Sequence, residues 1–129
     1  MIYLDTSYLV RLYTNDMGWE KVHGQAEMAT AFHRKLREGA LNQKELGTLL
    51  TEFDKDSNAG AYRWLALSTA VVVRLISTYA RLPGTVALRA ADAIHLACAA
   101  DAGFAKVYSN DSRLLTAAAH FGLKGENLI

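Results

Sequence analysis

The chain has 129 residues, which fits one domain, and 51% of them are apolar, which is enough for a real core. With 21% charged residues and a net charge of +1 it is neither a disordered chain nor a uniformly basic nucleic-acid binder, although a local patch can still steer a polyanion. No run reaches the roughly 18 apolar residues of a membrane span, the N-terminus has no basic lead or cleavage site of a signal peptide, and the lone cysteine, Cys98, cannot close an internal disulfide, so a reducing, cytoplasmic setting is expected.

Ile2-Tyr3-Leu4 reads as a short buried strand that ends at Asp5. Residues 7–13 have apolar positions at helical spacing (8, 9, 12 and 13), and 16–18 interrupt them. Residues 25–38 read as a helix with Met28, Phe32 and Leu36 on one stripe, stopped by Gly39. Asn42 with Glu45 three residues on resembles a capping box. It opens a helix that buries Leu46, Leu49, Leu50 and Phe53 and fades over 54–60. Residues 62–67 are a strand candidate. Over 69–82 the β-branched Val71-Val72-Val73 favours strand, but the length and the spacing of Val72, Leu75, Ile76 and Tyr79 predict a helix. Pro83-Gly84 breaks the chain. An alanine-rich helix is expected over 88–102, a strand over 105–109, a helix over 112–121 closed by Gly122, and an edge strand over 126–129. Strands separated by helical crossovers predict a parallel sheet with helices on both faces.

Three of the thirteen acids stand where a solvated carboxylate is not expected. Asp5 ends the first apolar strand, the position where ligands bind in open α/β sheets, or else it caps the helix that follows. Asp92 shares a helical stripe with Leu88 and Leu96, so its charge needs an arginine or a metal ion. Asp111 follows the strand at 105–109, either as a helix cap or as a second acid on the rim that Asp5 occupies. Carboxylates gathered on one rim raise each other's pKa values, and a divalent cation removes that repulsion. Oxygen-only ligands suit Mg²⁺ or Mn²⁺. The four histidines (His23, His33, His95, His120) have no tight metal spacing and give a zinc hydrolase little support. His95 shares a helix face with Asp92, as a packed or capping histidine. The run Arg34-Lys35-Leu36-Arg37 is a solvated helix face or a phosphate contact. An acid cluster with such a cation points to phosphoryl chemistry.

Four stretches, "YLDTS", "FHRKLREG", "LRAADAIHLA" and "VYSNDSRLLTAA", together resemble the PIN-domain nucleases, and most of all the VapC-type toxins of toxin–antitoxin pairs. The resemblance spans nearly the whole chain in the expected order. It implies a single PIN-like domain over 1–129, a three-layer α/β/α fold with a short parallel sheet of about four strands. It also implies an endoribonuclease dependent on Mg²⁺ or Mn²⁺, restrained by a cognate antitoxin and commonly homodimeric. Carried over by position, Asp5, Asp92 and Asp111 would ligate metal, and Glu27 matches the family's fourth acid. Thr6, Ser7 and Asn110 would support the site. Arg34, Lys35, Arg37 and Arg113 would contact RNA phosphates, giving salt-sensitive affinity with little sequence information. Asp5 and Glu27 lie only 22 positions apart, a shorter interval than the family's, so a strand there is missing or rebuilt.

The rival reading is a catalytically silent PIN fold that binds RNA or an antitoxin only. A receiver-type phospho-acceptor domain would want an aspartate after the strand at 62–67, where Ser68-Thr69 stand. A phosphatase with an aspartyl nucleophile would want a second aspartate at position 7, which is Ser7.

Overall fold

In a computed structural model of the chain, the residues described are 3–4, 23–62, 65 and 67–128. Three short strands, β1 (Tyr3–Leu4), β2 (Lys106–Tyr108) and β3 (Lys124–Glu126), form a parallel sheet in that order. Leu4 is paired with Tyr108, and Tyr108 with Glu126. The carboxyl ends of all three strands therefore share one edge, the side on which open α/β sheets bind ligands. The helix expected over 7–13 lies outside the described residues.

Helices α1 (His23–Arg37) and α2 (Gln43–Asn58) pack against each other across a short turn. The stripe on α1 is as expected: Met28 and Phe32 are fully buried and Leu36 packs beside them. Gly39 ends the hairpin's first arm with φ +77°, a conformation that costs a glycine nothing. The capping box at the start of α2 is complete: Asn42 Oδ1 accepts from the Glu45 amide at 2.9 Å, and Glu45 Oε1 accepts from the Asn42 amide at 3.1 Å. The fading expected over 54–60 is corrected, because α2 continues to Asn58. Ser57 is buried in that last turn, the Asn58 side-chain Nδ2 donates to Asp54 Oδ2 at 3.3 Å, and the chain leaves through Gly60 at φ +76°. The strand expected over 62–67 is also corrected: the described residues there, Tyr62, Leu65 and Leu67, are in no strand. Tyr62 instead joins the aromatic cluster between α1 and α2, 5.7 Å from Phe53, which stands edge-on to Phe32 at 6.5 Å.

Helix α3 (Thr69–Arg81) confirms the choice of helix over strand for the valine run. Ser68 caps it by accepting from the Val71 amide at 3.3 Å, and of the three valines only Val71 is buried. Helix α4 (Ala90–Asp101) buries His95, Leu96, Ala97, Cys98 and Ala99, and Gly103 closes it at φ +81°. Helix α5 (Ser112–Ala118) tightens into a 3₁₀ turn (Ala119–Phe121) before Gly122. The last strand comes earlier than the expected 126–129: Leu123 is buried in the core, and that fixes Lys124 opposite Lys106. The described residues thus hold three strands rather than four.

Two apolar clusters result. One lies between α1, α2 and Tyr62; the other unites α4, α5, β2, Val71, Phe121 and Leu123. Among the described residues no helix is long and apolar enough to cross a membrane.

Candidate active site

Three segments that are distant in sequence line one cavity of about 620 Å³. Helix α1 contributes Glu27, Thr30 and Arg34; the start of α4 contributes Arg89, Asp92 and His95; the loop from β2 to α5 contributes Asn110 and Asp111. Each placement has a local cause. On α1, Glu27, Thr30 and Arg34 follow at i, i+3 and i+7, so they share a face. Their neighbours Met28, Ala31 and Phe32 are taken by the aromatic cluster, and this turns the polar face toward α4.

Asp92 sits in the first turn of α4, where the helix dipole favours a carboxylate. Its charge is felt nearby. Burial first, and Asp92 second, hold the Tyr79 hydroxyl above the usual tyrosine range. That hydroxyl donates to the Leu88 carbonyl at 2.7 Å and ties α3 to the segment leading into Asp92.

Asp111 is the helix cap that the sequence allowed. Its Oδ1 accepts from the Arg113 amide at 2.8 Å as the N-cap of α5, and the same side chain lines the cavity at the carboxyl end of β2. Fully buried Ser109 fixes this corner: its Oγ accepts from the Asp111 amide at 2.9 Å, and its own amide donates to the Glu126 carbonyl at 3.1 Å.

Glu27 reaches across from α1, with Oε2 lying 2.8 Å from His95 Nε2. The histidine side chain is 7% exposed and the carboxylate 25%. His95 is three residues beyond Asp92, so α4 presents both on one face.

The structure therefore gathers Glu27, Arg34, Asp92, Asn110 and Asp111. Lys35 points instead to Glu38 at 3.4 Å, and Arg37 and Arg113 are exposed and do not line the cavity. Asp5, Thr6 and Ser7 lie outside the described residues. Sequence reasoning missed Thr30, Arg89 and the partnership of His95 with Glu27. Spacing carried the signal for the first two, since Thr30 is three residues after Glu27 and Arg89 three before Asp92. No local pattern could announce a contact between residues 27 and 95.

The donor chemistry of the cavity fits a hard cation, because Glu27, Asp92 and Asp111 offer only carboxylate oxygens. Among the described residues, however, no three His, Cys, Asp or Glu side chains approach closely enough to hold a metal ion by themselves.

No curated protein and no solved structure gives a significant match to the chain. The family comparison does: a model described as the PIN domain matches residues 2–120. That span includes every acid of the cavity, and it accords with the parallel sheet that sets Asp111 at its carboxyl edge. The chain belongs to the PIN domain family, a nuclease superfamily with an α/β fold.

Proposed function

We propose that the chain is a metal-dependent endoribonuclease, the toxin component of a cytoplasmic toxin–antitoxin pair. The observation that carries this reading is the meeting of Glu27, Asp92 and Asp111 in one cavity beside Arg34 and Arg89. Asp5, Glu27, Asp92 and Asp111 are the residues that would hold Mg²⁺ or Mn²⁺. When bound, such a cation activates water and stabilises the charge of a phosphodiester in transition. The remaining work falls to the chain itself. Arg34 and Arg89 draw the phosphates of RNA to a cavity otherwise lined by acids, as guanidinium groups suited to two-point contact. Lys35 and Arg37 extend the basic face of α1 away from the cavity, and Arg113 stands beside the acid-bearing loop. Asn110, with Thr6 and Ser7, supports the acids.

A cognate antitoxin and a second copy of the chain are the protein partners in this reading. The exposed apolar stripe of α3, made of Val72, Val73, Ile76 and Tyr79, offers contact area for either.

The test is RNA cleavage by the purified chain with Mn²⁺ and with chelator. The reading expects metal-stimulated cleavage that Asp92→Asn reduces to background. Equal cleavage by both proteins would reveal a contaminant. The short interval between Asp5 and Glu27, and the absence of a tight ligand trio among the described residues, favour one alternative: a silent PIN fold that binds RNA or an antitoxin. Salt-sensitive RNA binding without any cleavage would select it.

A further inference from the structure

We propose that His95 is the positioning residue for Glu27: it donates from Nε2 to Glu27 Oε2 and so delivers the carboxylate of α1 to the acids carried by α4 and α5. This rests on the reading of the cavity as a cation site.

The long Glu27 side chain has several rotamers to lose. It also stands on a different apolar cluster from Asp92 and Asp111, so packing alone does not fix its head group against theirs. His95 supplies a constraint. It is buried in the middle of α4, only 6% exposed, with neighbours 96–99 all in the core. Its ring is therefore a rigid post. The 2.8 Å bond to Glu27 crosses from one cluster to the other. In the proposed arrangement the carboxylate is ionised and can only accept, which assigns the proton of this bond to Nε2.

The helix that carries Asp92 thus also orients the acid facing it, so a single element sets two of the donors. Partners of this kind, which orient a ligand without touching the metal, typically change metal affinity 10–100-fold.

The experiment measures Mn²⁺ affinity, without any turnover, from the paramagnetic resonance signal of free Mn²⁺ titrated into the full-length chain. The variants are His95→Leu, His95→Gln, Glu27→Gln, the double variant His95→Leu/Glu27→Gln, and Asp92→Asn. Thermal melts without metal verify folding. His95→Leu is expected to weaken binding about 10-fold or more, and His95→Gln, which keeps an N–H donor, to recover most of that loss. The double variant should bind no more weakly than Glu27→Gln alone, because the histidine acts through that carboxylate. A folded His95→Leu that binds like wild type overturns the proposal, as does a loss that adds in full to that of Glu27→Gln.

Should His95→Leu not fold, long-range ¹H–¹⁵N spectra of the wild-type imidazole decide instead. A protonated Nε2 whose resonance moves in Glu27→Gln supports the donor role, and an unprotonated Nε2 overturns it. Binding that depends on Asp92 but ignores His95 sinks this inference and leaves the cation site standing. No Mn²⁺ binding by wild type sinks both.

Discussion

Gly125 sits where no side chain fits. A Cβ there would stand 2.9 Å from Leu115 Cδ2 and about as close to that residue's backbone, 3.0 Å from its carbonyl oxygen and 3.1 Å from its Cα. The backbone of α5 cannot yield as a side-chain tip could. Gly125→Ala is thus expected to destabilise the fold by about 1–3 kcal/mol, read as a lower denaturant midpoint at unchanged slope. Asp92 permits a second check at this scale. Its charge is the lesser of the two causes that raise Tyr79. In Asp92→Asn the Tyr79 hydroxyl should ionise at lower pH than in wild type yet still above an ordinary tyrosine, since the larger cause, burial, remains. Aromatic NMR shifts followed through the alkaline range would show it, and an unmoved titration would separate the two side chains. The acids themselves were unequally legible. Asp92 betrayed itself by charge on an apolar stripe and Asp111 by its place after a strand. Glu27 gave no such sign: it lies off the apolar stripe of α1, and its importance comes from what faces it.

Among the elements, α2 and the sheet invite measurement. Asn42→Ala removes one half of the capping box and should cost about 1 kcal/mol, measured as a lowered unfolding midpoint. Glu126 straps β2 to its neighbour, with Oε1 2.7 Å from Lys124 Nζ and 3.1 Å from Lys106 Nζ. The hydrogen bonds from Lys124 and then Lys106 pull its carboxyl from the ordinary 4.5 down to about 2. A depressed carboxylate favours the native state above its unfolded pKa, and that help fades as pH falls from about 4.5 toward 2. Glu126→Gln should accordingly flatten the acid limb of the stability profile over that window and leave it steeper nowhere; an identical acid limb in both proteins would show the strap to be idle. Lys106 answers from the alkaline side, its ammonium raised chiefly by the same bond to Glu126. The described helices were read well because they announce themselves within a few residues: the Asn42–Glu45 pair and the glycines at 39, 103 and 122. Strands were read unevenly: those expected over 2–4 and 105–109 contain β1 and β2, while the one over 62–67 failed and the last came early, because three-residue strands in a parallel sheet show no alternation and long-range packing, such as that of Leu123 or Tyr62, decides where pairing occurs.

For the molecule as a whole, the cation-site reading predicts that Mn²⁺ or Mg²⁺ raises the melting temperature, since a ligand of the native state stabilises by mass action. The rise should disappear in Asp5→Asn and in Asp92→Asn; a shift that persists in both would place the ion elsewhere. The order of elements foretold a parallel sheet, and the described strands pair in that sense, so that much of the architecture was open to inspection in the sequence. The division of the interior into two apolar clusters was not, because it depends on which faces meet. That division has an effect on how the protein fails. Glu27 rides on one cluster, Asp92 and Asp111 on the other. Loosening of α1 and α2 would draw Glu27 away from Asp92 and Asp111, so the pocket is expected to open before the larger cluster unfolds; faster amide exchange along α1 than along α4 under mild heating would show it, and equal rates would refute it.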